Sequence, residues 1–474
     1  MHAVIPMKEE IVHKLKIKHN EPKPSVLILG IDSVSRLNLL RTMPQTMTFL
    51  LREGWVELKG YNKIGDNTFP NVMAILTGRS LEHIRKCWPS KEETLDNCPY
   101  IWKNFSDQGY ITMFAEDEST MSTFNYQKKG FVQPPTDYYL RPLMLAAEKQ
   151  LSLKSRDHLY ICMGPKSTTE HLLKYVLDIA AIFKTTPYFA LLWINNLCHN
   201  NPNTLAAMDY KFLKFFHELE QIGTLNNTII VFLSDHGMRF GKIRETVVGW
   251  YEERLPFIHI WIPKWFRRKY PKAYNNLLIN KDRLTSPYDL HLMLKDILIR
   301  NEASENKESS ENQLTINGTM SCQNCTSLFK EVMYNRTCDN AGVTPHWCSC
   351  HQYEKLSPVD DKVQEAAKFV TSKINEWLLK AANLTEKHKR CAELSLLRLV
   401  NVRGRTNNQA QHVDYVVLIE TAPGNALFEA TVRLNIYKHI FQVLGIISRI
   451  NMYWSQSKCV SDSTLKLYCY CVSS

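Results

Sequence analysis

The chain has 474 residues, 44% hydrophobic and 22% charged, too long for one average domain and too ordinary in composition for a disordered or fibrous protein. Its 58 Lys and Arg against 47 Asp and Glu give a formal charge of +11, but the basic residues are scattered, with local knots such as 265–269. That argues against nucleic acid and mildly for an anionic substrate or surface. Residues 1–22 read as an N-terminal segment with no apolar signal core, and no stretch of about 18 apolar residues offers a membrane span. Residues 23–300 alternate short apolar runs with helix-length segments. The runs at 25–30, 110–115, 188–193, 228–233 and 257–262 are continuously apolar, as strands covered on both faces are. The segment 203–222 carries Leu205, Met208, Phe212, Phe215, Phe216 and Leu219 near helical spacing. The expectation is an α/β core with a mostly parallel central sheet flanked by helices, with ligands at the carboxyl ends of the strands. Residues 301–314 are polar and read as a linker or exposed loop. Residues 315–474 form a smaller Cys-rich α+β region. It has an amphipathic helix near 359–382 and an antiparallel hairpin of 415–420 and 427–434 about Pro423, Gly424 and Asn425.

Thirteen cysteines are unevenly placed: Cys87, Cys98, Cys162 and Cys198 precede residue 320 and nine follow it. The spacing of Cys322, Cys325, Cys348 and Cys350 beside His346 and His351 allows a cytosolic metal module. A disulfide framework is the stronger reading, because six glycosylation sequons accompany the cysteines, at Asn104, Asn226, Asn317, Asn324, Asn335 and Asn383. Cys87 and Cys98 are spaced for a local bridge, the nine distal cysteines for a framework, and Cys198 is the candidate for the odd free thiol. These features point to secretion or to the lumenal or extracellular face of a membrane, so a signal or anchor is expected upstream of Met1.

The strand ends carry the chemistry. Asp32 follows the first run and Asp235-His236-Gly237 follows the run at 228–233. A carboxylate and an imidazole at one sheet edge can bind a divalent cation, although Asp32 alone could be a helix N-cap. Thr68 enters a helical pattern at 72–76. It reads either as an N-cap or as a nucleophile whose hydroxyl a metal activates at a helix N-terminus. His199 has three available roles: protonating a leaving group, binding an oxyanion, or ending a strand as a satisfied histidine. The Glu116-Asp117-Glu118 run lines the site or is a solvated loop. Arg36, Lys63, Arg239 and Arg244 are candidates to hold a tetrahedral oxyanion, against the alternative of salt bridges.

The segments 28–36, 60–71, 76–78, 232–239 and 251–256 resemble, in order and over most of the chain, the domain of unknown function 229 family (DUF229), which looks like a branch of the alkaline phosphatase and sulfatase superfamily. The resemblance implies Asp32, Thr68, Asp235 and His236 as metal ligands, Thr68 as a nucleophile forming a phospho- or sulfo-threonine, and Asn71 in substrate binding. It implies one divalent metal (Zn, Mn, Mg or Ca) and an anionic ester substrate, with a glycan or a lipid as its carrier. The chain departs from the sulfatase pattern at Thr68-Phe69-Pro70-Asn71-Val72, which removes formylglycine chemistry. It also has Cys198-His199-Asn200 where His-Asp is expected, and no further C-terminal metal histidine. The expected function is a metal-dependent hydrolase or transferase of phosphate or sulfate esters. The alternative is a catalytically silent extracellular binding protein on the same scaffold.

Overall fold

A computed structural model describes residues 3–16, 22–156, 159–302, 321–384, 391–407, 411–453 and 455–472. The chain divides into two compact units, Met1–Met238 with Glu252–Val343 and Arg239–Tyr251 with Thr344–Ser474. The first is built on a seven-stranded sheet of β1 (Ser25–Ile31), β2 (Val56–Glu57), β3 (Ile111–Glu116), β4 (Tyr138–Tyr139), β5 (Tyr188–Ile194), β6 (Thr228–Leu233) and β7 (Ile258–Trp261). Its order is β2-β7-β6-β1-β5-β3-β4. The five strands from β6 to β4 are mutually parallel and β7 runs against its neighbours. The continuous apolar runs are explained by two cores, one on each face. Leu27, Leu29 and Ile31 of β1 point into one and Val26 and Ile28 into the other. Each such fully buried side chain contributes roughly 1.5–3 kcal/mol. Helices α1 (Arg36–Thr42), α3 (Thr168–Ile182) and α4 (Asp209–Ile222) cover the first face, and α2 (Thr68–Thr77) and α5 (Pro287–Glu302) the second. Gly30 is required where Trp193 of β5 crosses β1, since a Cβ there would lie 2.1 Å from the indole.

Several boundaries differ from the sequence reading for physical reasons. The segment expected as one helix over 203–222 opens as a 3-10 turn, Pro202–Met208, before α4, because Pro202 at its start and the Asn201 side chain on Asn203 N–H set a tighter turn. The last run, 257–262, is a strand, but antiparallel. A small three-stranded sheet, Leu153–Arg156, Leu159–Met163 and Lys166–Ser167, is an addition. Its strands, of 4, 5 and 2 residues, are too short to carry a periodic signal. Helix α5 runs to Glu302; the rest of the expected 301–314 linker lies outside the described residues. The stretch after it belongs to the first unit as far as Val343, where Leu328 and Phe329 join the core and Arg336 forks onto the buried Asp289 at 2.8 and 2.9 Å.

The second unit carries β8 (Glu354–Lys355), β9 (Ser395–Asn407), β10 (His412–Ala422), β11 (Ala426–Asn435) and β12 (Ile440–Arg449) in an antiparallel sheet, with α6 (Asp361–Leu384) packed on it. The β10–β11 hairpin turns at 423–425. Disulfides join Cys87 to Cys98, Cys322 to Cys325, Cys391 to Cys469 and Cys459 to Cys471, and Cys338 and Cys348 are also disulfide-bonded. Cys322 and Cys325 are thus a bridge and not a metal clip. Cys198 is free, as expected, but so are Cys162 and Cys350. With the other eight distal cysteines paired, Cys350 has no distal partner, so the framework takes eight and not nine. Asn104, Asn226, Asn324 and Asn335 are exposed. Asn317 and the side chain of Asn383 lie outside the described residues. Among the described residues no helix is long and apolar enough to cross a membrane.

Candidate functional site

Strand register creates the site. Gly30 of β1 is opposite Leu233 of β6 and Ile31 is opposite Ile194 of β5, so two residues past the β1–β6 pair Asp32 and Asp235 stand side by side. The Asp32 N–H bonds Ile194 O at 2.9 Å. Ser33 then adopts φ +65°, a left-handed conformation that costs a non-glycine residue energy and that clusters at functional sites. In that conformation its N–H donates to Asp235 Oδ1 and its hydroxyl to Asp32 Oδ1, both at 3.2 Å. Ser234 supports the same corner, accepting from Val34 N–H at 2.9 Å and donating to Asp235 Oδ1 at 3.2 Å.

Thr68 is the first residue of α2, with Asn67 as its N-cap. Its hydroxyl does not cap the helix; it donates to Asp32 Oδ1 at 3.1 Å. The loop before it is held by Asn71, whose side chain accepts from Ile64 and Gly65 N–H (2.8 and 3.2 Å) and donates to Gly65 and Asn67 carbonyls (3.0 and 2.9 Å). This occupies the donors and acceptors of the amide. Lys63, fully buried, is paired with Glu253 and donates to Asp66 O at 3.2 Å. Burial pulls its ammonium down to about 8, against the opposing pull of Glu253 and Asp66.

His236 donates from Nδ1 to its neighbour's carbonyl, Gly237 O, at 2.8 Å, which turns Nε2 toward Asp235 Oδ2 (3.2 Å) and Asp32 Oδ1 (3.5 Å). One ligand atom each of Asp32, Asp235 and His236 lies within 4.8 Å of the others, all buried, and among the described residues this is the one such group of carboxylate and imidazole. Burial raises the Asp235 carboxyl, and the Asp32 charge adds to the effect while His236 opposes it. Its Oδ2 is buried without a hydrogen bond. Two carboxylates, an imidazole and an adjacent hydroxyl, with one orphaned carboxylate oxygen, fit a divalent cation. The nitrogen donor favours Zn or Mn over the all-oxygen preference of Ca and Mg.

The remaining expected residues divide. His199 follows β5 by five residues and its Nδ1 meets Asn200 Oδ1 at 2.7 Å. Arg36 pairs with Glu57 at 2.7 Å, and Lys63 with Glu253. Arg239 and Arg244 belong to the second unit, with the Arg239 guanidinium 5.0 Å from the Phe240 ring and Arg244 3.4 Å from Glu429. Glu116, Asp117 and Glu118 are buried, not a solvated loop. Asp117 accepts from Asn195 N–H at 2.7 Å, and burial pushes its carboxyl up to about 7. Sequence reasoning missed Glu252 and Glu253. Glu252 accepts from Ser35 at 2.6 Å and is gripped by both Arg41 nitrogens. Glu253 pairs with Lys63 and with Arg254 (3.0 Å), and its carbonyl accepts from Gly237 N–H at 3.0 Å. A Cβ on Gly237 would lie 2.1 Å from Glu252 O, so glycine permits the approach. The two glutamates tie the Asp32, Thr68 and His236 segments together.

The profile of the family described as protein of unknown function (DUF229) matches residues 1–400. No curated protein matches the chain. Solved structures similar to it include a protein in the alkaline phosphatase superfamily from Vibrio parahaemolyticus, at 12% identity over 90% of this chain and 83% of that one, with TM-score 0.42. Ps i-CgsB in complex with k-i-k-neocarrahexaose is similar at 12% identity over 89% and 86%, with TM-score 0.43. The lipoteichoic acid synthase LtaP from Listeria monocytogenes is similar at 11% identity over 58% and 72%, with TM-score 0.38.

Proposed function

The chain belongs to the DUF229 family, and we propose that it is a metal-dependent hydrolase or transferase of phosphate or sulfate esters that uses Thr68 as its nucleophile. The observation that carries this reading is the Thr68 hydroxyl, half-buried at the start of α2, hydrogen-bonded to Asp32 beside Asp235 and His236. Asp32 accepts the hydroxyl proton as the oxygen attacks phosphorus or sulfur. The N–H groups of Thr68 and Phe69 have no acceptor within the helix and face the equatorial oxygens of an incoming ester; Pro70, next in line, has no N–H to offer. His199 gives a proton to the leaving oxygen. Asp32, Asp235, His236 and Thr68 would hold a divalent cation, which when bound would lower the pKa of the hydroxyl and draw charge from the transferred group. Water or an acceptor alcohol then releases that group from Thr68.

Asn71 and Lys63 act as positioning residues for the nucleophile loop in this reading, because their polar atoms are engaged by its backbone and by Glu253. The disulfides and the exposed sequons favour an oxidising, extracellular or lumenal location. The test is turnover of an aryl phosphate, a phosphodiester and an aryl sulfate by metal-replete protein. Thr68→Ala and Asp235→Asn are expected to abolish it, and no turnover in any class by protein with confirmed bound metal refutes the reading.

A further inference from the structure

A cleft of about 200 Å³ opens in the first unit between the β5 loop, the start of α3, the Leu159–Met163 strand and the turn before α4. By exposed area its wall is mainly apolar, with Ile161, Leu197, Ala207 and Met208; seven of its twelve lining residues are polar, Thr168, Asn196 and Thr204 among them, and none is charged. At this volume, below the ~300–1,000 Å³ of clefts that enclose drug-sized ligands, it suits one part of a substrate. Its place is set by the site. Ile194 ends β5 bonded to Asp32, and the loop that follows carries His199 between two cleft residues, Leu197 and Asn200. That loop is fixed by the Thr204 hydroxyl on the Leu197 and Asn201 carbonyls and by the bond from His199 to Asn200.

We propose that this cleft binds the apolar alkyl or aryl part of the ester's leaving alcohol. The inference rests on the ester-transfer reading of Thr68 and His199. As the bond from Thr68 Oγ1 to phosphorus or sulfur forms, the bond to the alcohol oxygen breaks. Asp32 takes the threonine proton, His199 protonates the departing oxygen, and the carbon skeleton of that alcohol is received by the cleft wall that the His199 loop forms with Leu197 and Asn200. A polyanionic leaving group finds no cation there, whereas an apolar one displaces water from Leu197, Ala207 and Met208.

The experiment uses the metal-loaded full chain with n-alkyl and phenyl esters of whichever class turns over. kcat/KM is expected to rise about fourfold per methylene buried and then level off as the cleft fills; the phenyl arm separates aryl from alkyl preference. Ala207→Trp, at an exposed position, should flatten the series, and Met208→Ala should move its plateau to longer chains. Cys162, a free thiol in the cleft wall, gives a readout that needs no turnover: n-octanol should slow its alkylation by a neutral maleimide in the wild type and not in Ala207→Trp. A flat chain-length series, or unchanged Cys162 alkylation with octanol, overturns the cleft assignment. Octanol protection without turnover of any ester keeps the cleft and overturns the ester reading.

Discussion

Replacing Glu253 by Gln tests the coupling that holds the nucleophile loop to the metal-ligand loop. The substitution keeps shape and removes the charge facing two buried cations, Lys63, which also donates to Asp66 O, and Arg254 at 3.0 Å. Breaking one side of a buried ion pair costs roughly 3–5 kcal/mol, because the remaining charge keeps its desolvation penalty. For a unit of this size that lowers Tm by about 4–7 °C. The double variant Lys63→Met/Glu253→Gln leaves no unpaired lysine, so it is expected to recover the part of the loss that Lys63 carries, while the part carried by Arg254 remains. It does not restore the bond to Asp66 O, so turnover should stay low while stability returns. The assay is a double-mutant cycle by chemical unfolding, run beside ester turnover. Glu253→Gln within about 0.5 kcal/mol of wild type, or a double variant as unstable as the sum of the singles, refutes the argument.

Other consequences are equally open to measurement. Asp235→Asn should abolish the rise in Tm that Zn or Mn gives the wild type, which follows mass action on the folded state; an unchanged metal-induced shift contradicts the ligand set. His199→Ala should cost about 10²–10⁴-fold with alkyl esters and far less with nitrophenyl esters, whose leaving group needs no proton; equal losses in both remove the general-acid role. Asn200→Asp, which supplies the carboxylate partner that His199 lacks, should raise turnover of alkyl esters. Asp117, held up to about 7 against ~3.9 in the unfolded chain, binds more protons folded than unfolded in that window. Its contribution is complete below pH ~4 and lost as pH rises through 7, so Asp117→Asn should flatten this slope and stabilise the protein at pH 8 by up to about 4 kcal/mol; parallel pH profiles for the two proteins exclude it. Thiol titration should find exposed Cys350 reacting first and buried Cys198 only on unfolding.

The parallel sheet was legible because its strands are apolar on both faces, and the acid and histidine at the ends of β1 and β6 were legible because parallel strands deliver their carboxyl ends to one edge. The strand β9 was not: Arg398, Arg403 and Arg405 interrupt its apolar positions, and two register shifts break the period of two. The spacing of Cys322 and Cys325 suits a bridge and a metal equally, and only the folded geometry chooses. Asn71 and Lys63 look like substrate-binding residues in a motif, yet Asn71 is taken up by the backbone of its own loop and Lys63 by Glu253, which the sequence places 190 residues away. The role of Glu253 depends on a close approach at Gly237, which no local pattern encodes.

The most direct measurement is rapid-quench peptide mapping of metal-loaded protein during turnover. The account predicts one phosphoryl or sulfuryl group on the Thr68 oxygen, formed before the transferred group appears as product and absent from Thr68→Ala. Turnover with Thr68 unmodified, or with the group on another residue, would contradict it.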